Sequence, residues 1–138
     1  MKLILDTDTC IDLIRGRPLE VRATFAALRG SEPAAVSSIT LMELEYGVAK
    51  SAPDHRPANR ARLASFLSGP IEILAYDEAD ATSTGMVRAQ LERLCAEIGA
   101  YDVMIAGQAF RRSLRVITSN TRHFGRVDGL LVESWRSP

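Results

Sequence analysis

The chain has 138 residues, of which 46% are hydrophobic and 25% are charged, a composition typical of one soluble globular domain spanning residues 1–138. Lys and Arg number 17, and so do Asp and Glu; the resulting net charge of zero argues against general attraction to polyanions. Two cysteines that are far apart and no long apolar run argue against a disulfide framework and a membrane span, and favour a reduced, cytoplasmic setting.

Apolar runs and capping residues predict strands that alternate with helices. The run before Asp6 predicts a buried strand at 2–5, and Asp8 or Thr9 is expected to cap a short helix that reaches Ile14. A turn is expected at 30–33 and a loop at 119–129. The remaining strands are expected at 34–37, 71–75, 115–118 and 130–133, and the remaining helices at 19–29, 40–52, 58–67, 77–98 and 102–113.

This alternation predicts an α/β fold, a three-layer α/β/α sandwich around a mainly parallel sheet of four to five strands. In open parallel sheets, ligands bind at the carboxyl ends of the strands. Asp6 directly follows the first strand, Glu43 lies in the helix after the second, Asp102 opens the helix before the fourth, and Asn120 follows the fourth. We therefore expect these side chains to converge at one edge of the sheet.

Three carboxylates held together repel one another as anions, so such a cluster favours a bound divalent cation with oxygen ligands. Each residue also has a structural interpretation. Thr40 and Glu43 match a capping box, Asp102 suits a helix N-terminus, and Asn120 suits an Asx turn. A lone His123 is more often structural than a metal ligand. Only the expected convergence favours the metal site.

The sequence resembles the PIN-domain ribonucleases, specifically the VapC-type toxins of bacterial type II toxin–antitoxin pairs. The matching stretches cover nearly the whole chain: LILDTDTCIDLI, VSSITLMELEYGV and YDVMIAGQAFRRSLRVITSNTRHFGRVDGLLVESW. The resemblance implies a PIN-like fold and metal-dependent cleavage of RNA that slows translation and growth. It also implies a cognate antitoxin, a homodimer, and contact with operator DNA only through the antitoxin.

The resemblance also implies roles for individual residues. The family's metal-binding acids fall on Asp6, Glu43 and Asp102, which would hold Mg²⁺ or Mn²⁺ for phosphodiester hydrolysis. Two further residues would support the site. Asn120 falls near a fourth acidic position and would hold a metal-bound water, and Asp8 stands where the family more often has Asn and would supply the missing charge.

Side chains beside these acids are also candidates. Thr7 and Ser38 would orient two of the acids. Because the chain is neutral, RNA binding would need a local arginine surface, for which five residues are near the expected site in the sequence: Arg15, Arg17, Arg111, Arg112 and Arg122.

Two alternatives remain open on the sequence alone. The segment Leu5–Cys10 comes close to the first motif of haloacid-dehalogenase-like phosphatases, in which Asp6 would be the nucleophile and Asp8 the acid/base. That class needs a later lysine, and no lysine follows Lys50. The other alternative is a catalytically silent PIN-like domain that only binds a partner.

Overall fold

The five strands form one parallel sheet in the computed structural model, which describes residues 3–28 and 32–138. The strand order is β3-β2-β1-β4-β5, and every neighbouring pair is parallel. The predicted fold class is confirmed. The strands are β1 Leu3–Leu5, β2 Ala34–Ser37, β3 Ile71–Leu74, β4 Arg115–Ile117 and β5 Val132–Glu133.

Helices cover both faces of this sheet and bury a separate apolar core on each. Ile4 and Leu5 are both fully buried but belong to different cores, because successive side chains of a strand point to opposite faces. No helix in the described ranges is long and apolar enough to cross a membrane. The helices are α1 Thr7–Arg15, α2 Leu19–Ala26, α3 Ser38–Ala49, α4 Arg56–Leu67, α5 Glu78–Arg93, α6 Ala100–Arg112 and α7 Thr121–Phe124.

Several predicted boundaries are wrong. Helix α5 ends at Arg93, five residues before the predicted end at Ile98, and the chain then turns through Cys95, whose φ of 52° cannot continue a right-handed helix. The predicted loop 119–129 contains the short helix α7. The predicted strand start at Lys2, the helix end at Arg29 and part of the turn at 30–33 lie outside the described residues.

Strand β1 is central, with β2 on one side and β4 on the other. The helix that follows it, α1, is fastened by a residue from the far end of the chain. The guanidinium of Arg136 donates two hydrogen bonds to the buried carboxylate of Asp12, at 2.7 and 2.9 Å. This contact ties helix α1, which follows β1 directly, to the C-terminal segment of the sequence.

Helices α5 and α6 pack unusually closely, which fixes the position of α6 and of Asp102 in its first turn. A Cβ atom at Gly107 would lie 2.6 Å from the Cα of Thr84, so only glycine fits at this crossing. The hydroxyl of Ser83 donates to the carbonyl of Gly107 at 2.8 Å and links the same two helices.

A buried charged cluster joins the start of α5 to the end of α6. The fully buried Asp80 accepts hydrogen bonds from Gln108 Nε2 at 3.0 Å, Arg111 Nε at 3.0 Å and Arg112 Nη2 at 2.8 Å. Asp77, half exposed, completes the cluster and shares a capping box with Asp80. Both arginines thus bind these carboxylates, and their contribution to an RNA-binding surface stays a prediction.

Candidate active site at the carboxyl edge of the sheet

Asp6 lies buried at the carboxyl end of β1 and caps the helix that follows. Its Oδ1 accepts from the backbone N–H of Thr9 at 2.9 Å, so Asp6 is the N-cap of α1, and the predicted cap at Asp8 or Thr9 is wrong. Its Oδ2 accepts a short hydrogen bond of 2.5 Å from the hydroxyl of Thr118. Burial raises the pKa of Asp6 to about 6 despite these two donors, which favour the charged form.

Glu43 faces α1 from helix α3. The predicted capping box is wrong, because α3 begins at Ser38 and its N-cap is Ser37, which accepts from the N–H of Ile39. Glu43 therefore lies in the second turn, and its Oε1 accepts from the hydroxyl of Thr7 at 2.6 Å. The expected orienting role of Thr7 agrees with this contact. Ser38 instead accepts from the N–H of Tyr76.

Asp102 lies in the first turn of α6, three residues after the N-cap Gly99. It is therefore not the helix cap. Its pKa is raised, first by burial and then by the negative charges of Glu43 and Asp8, while His123 opposes the shift. This coupling indicates that the carboxylates of Asp8, Glu43 and Asp102 lie in the same region of the molecule. The convergence of Asp6 with Glu43 and Asp102 stays a prediction.

Asn120 and His123 belong to the same region, since His123 influences the pKa of Asp102 and lies next to Asn120. The backbone N–H of Asn120 donates to the hydroxyl of Thr118, and its side-chain Nδ2 lies 2.7 Å from Nδ1 of His123. Asn120 is the N-cap of α7 but makes no side-chain cap hydrogen bond. No local sequence pattern assigns His123 to this region, because its electrostatic effect on Asp102 depends on the tertiary fold.

The donor set of this region is suited to a hard divalent cation. In the described part of the chain, none of the four acids Asp6, Asp8, Glu43 and Asp102 forms an ion pair with a lysine or arginine. Carboxylate oxygens are the ligands that Mg²⁺ and Mn²⁺ prefer. Across the described residues, however, no three acidic, histidine or cysteine side chains are close enough together to share one ion.

The Asp6→Asn substitution is expected to leave the protein as stable as the wild type or more stable at neutral pH. The pKa of Asp6 is higher in the folded protein than in the unfolded chain. Ionisation of Asp6 therefore leaves the free energy of unfolding unchanged below about pH 4 and lowers it increasingly as the pH rises to about 6. The stability gained by Asp6→Asn should grow over this range, towards an upper limit of about 3 kcal/mol. Asparagine can still accept from Thr9 and cap α1.

Urea unfolding in EDTA at several pH values measures this difference. The exposed carboxylate of Asp54 offers a control, since Asp54→Asn should show no such growth with pH. If Asp6→Asn lowered the unfolding free energy at neutral pH by more than about 1 kcal/mol, Asp6 would be a structural residue rather than a functional one.

The chain is similar to known proteins in both sequence and fold. The family model of the PIN domain matches residues 3–130. A tRNA(fMet)-specific endonuclease VapC from Shigella flexneri is 45% identical over 135 residues, covering 98% of both chains. Two solved structures are also similar: VapBC2 from Rickettsia felis bound to a promoter DNA fragment (TM-score 0.90, 32% identity, 99% of this chain and 100% of that chain), and DNA-bound VapBC from Salmonella typhimurium (TM-score 0.88, 42% identity, 99% of each chain).

Proposed function

This chain belongs to the PIN-domain family and is a VapC-type ribonuclease toxin with an antitoxin partner, and from that premise we propose that it cleaves tRNA(fMet) with a divalent cation. The observation that carries the catalytic part is the electrostatic coupling of Asp102 with Glu43 and Asp8, acids that form no ion pair with lysine or arginine among the described residues. The substrate follows the name of the Shigella flexneri relative. We also propose that the active form is a homodimer.

Asp6, Glu43 and Asp102 would hold Mg²⁺ or Mn²⁺, with support from Asp8 and Asn120. When bound, the cation would lower the pKa of a water and stabilise charge on the reacting phosphate. Glu43 is kept near Asp6 by the hydroxyl of Thr7, which bridges α1 and α3. Asp6 is held rigidly by Thr9 and Thr118, so it fixes one side of the site, while Glu43 and Asp102 approach from separate helices.

The phosphatase alternative lacks a residue that this class needs. No lysine follows Lys50 in the sequence to neutralise the charge of a phosphorylated Asp6. The alternative of a silent binding domain is not favoured either, since all three acids are present and the relatives carry nuclease names.

Manganese binding tests the proposed ligands without using activity. Titration calorimetry of the antitoxin-free protein should show saturable binding of Mn²⁺ at millimolar concentrations or below. Asp102→Asn should weaken this binding at least tenfold because one anionic ligand is lost, and Asp54→Asn should leave it unchanged. Equal affinity in the wild type and in Asp102→Asn would mean that the cation binds elsewhere.

A further inference from the structure

An open cleft continues from the acidic site along α1, α3 and α4. Its volume is about 830 Å³, and its lining includes Thr7 and two of the four acids, Asp8 and Glu43. Two of the three tyrosines of the chain, Tyr46 and Tyr101, line the same cleft, and we call it the tyrosine cleft. Tyr46 follows Glu43 by one helical turn, and Tyr101 directly precedes Asp102.

Both tyrosines are displayed to solvent rather than packed. Tyr46 is 62% exposed and Tyr101 is 49% exposed, and neither hydroxyl has a hydrogen bond within the described ranges. The third tyrosine behaves differently, because the hydroxyl of Tyr76 donates to Thr84 at 2.7 Å and is part of the α5 packing. Packing and internal hydrogen bonding therefore do not account for Tyr46 and Tyr101.

Three cations line the tyrosine cleft beside these rings. Arg15, Lys50 and Arg62 form no ion pair with a carboxylate among the residues that the structure describes. Lys50 Nζ instead lies 5.0 Å from the centroid of the Tyr46 ring. The lining of the cleft thus carries three cations and two acids, Asp8 and Glu43, a small excess of positive charge on a chain of zero net charge.

Exposed aromatic rings within a cationic groove are the combination that binds single-stranded nucleic acid, since the rings stack on bases and the cations attract phosphates. We propose that the tyrosine cleft holds an unpaired nucleobase of the RNA substrate, stacked on Tyr46 and Tyr101, beside the phosphate presented to the acids. This inference rests on RNA as the proposed substrate. It makes the two tyrosines substrate-positioning residues.

Binding of a short fluorescein-labelled oligoadenylate in EDTA tests the stacking without any cleavage. Fluorescence anisotropy at low salt should show that Tyr46→Leu and Tyr101→Leu each weaken binding by about 5- to 100-fold, as expected for loss of one base–aromatic stack. Leucine keeps apolar area but has no aromatic face, whereas Tyr→Phe at either position should bind within about twofold of the wild type. An abasic oligonucleotide of equal length should bind weakly and equally to all variants.

Phe110→Leu is the matched control, because Phe110 is 47% exposed and lines a different cleft that includes none of the four acids. It should bind oligoadenylate as the wild type does. Leucine variants that bind oligoadenylate like the wild type, or a wild type that binds the abasic probe equally well, overturn the proposal and leave the cleft as a protein-docking surface. The binding assay contains no metal and therefore does not depend on catalysis. A protein that binds oligoadenylate as expected but cleaves no RNA in a separate assay would contradict the nuclease mechanism and not the stacking.

Discussion

Asp102→Asn is expected to lower the single-turnover rate of tRNA(fMet) cleavage by at least a hundredfold. The substitution removes one negative charge from a site whose acids have no cationic partner, and the loss of transition-state stabilisation is of the order of several kcal/mol. Folding should be retained, because asparagine has the same shape and the substitution relieves repulsion with Glu43 and Asp8.

The measurement compares the wild type, Asp102→Asn and the exposed control Asp54→Asn in Mg²⁺ or Mn²⁺ and in EDTA, with an elongator tRNA as the substrate control. The wild type and Asp54→Asn should cleave tRNA(fMet) in Mg²⁺ or Mn²⁺ and not in EDTA. Asp102→Asn should be the one variant whose cleavage is strongly reduced in the presence of metal. A rate for Asp102→Asn within about fivefold of the wild type would remove Asp102 from the catalytic site. Turnover of p-nitrophenyl phosphate with intact RNA would instead revive the phosphatase alternative.

Asp80→Ala is expected to lower the free energy of unfolding by about 3–5 kcal/mol, the usual cost of breaking a buried ion pair by removing one partner. The fully buried carboxylate accepts from Arg111, Arg112 and Gln108, and alanine would remove this shared acceptor and leave the two guanidinium charges less well compensated. The neighbouring Asp77→Asn keeps its helix-capping oxygen and loses only a half-exposed ion pair, so it should cost less than about 1 kcal/mol.

The pH dependence of stability distinguishes this role from loss of packing. Burial alone would raise the pKa of Asp80, but the hydrogen bonds from Arg112, Asp77 and Arg111 outweigh it and lower the pKa to about 2. The contribution of Asp80 is therefore complete above about pH 4 and is lost as the pH falls towards 2. Urea unfolding should show the wild type and Asp80→Ala converging at acid pH; a constant difference would indicate a packing defect instead.

The sequence predicted the positions of the acids better than their local contacts. Asp6 could be identified because an apolar strand ends directly before it, and parallel strands end at a common edge. The contacts of Glu43 could not be predicted, because Ser37, Ser38 and Thr40 are all residues that can cap a helix. In the structure Ser37 is the N-cap, and Glu43 accepts from Thr7 instead of reaching back to a capping box. Choosing between caps requires the strand register, which local sequence does not determine.

The contacts of the two arginines and of His123 could not be predicted for a different reason. Arg111 and Arg112 are next to each other, and sequence spacing could not show that both point towards Asp80, a residue 31 positions earlier for Arg111. His123 belongs to a four-residue helix too short to give a periodic pattern, so its approach to Asp102 depends entirely on tertiary folding. Sequence alone gives no information on such pairings between distant elements.

The central position of β1 has a consequence for synthesis of the protein on the ribosome. The first strand to emerge remains unpaired on one side until β4 has been made, and the hydroxyl donor to Asp6 comes from Thr118, 112 residues later. Arg136, which fastens α1, emerges later still. A nascent chain that stops before β4 thus lacks the second neighbour of β1 and the hydroxyl donor to Asp6, so the acidic edge can assemble only after β4 has been made.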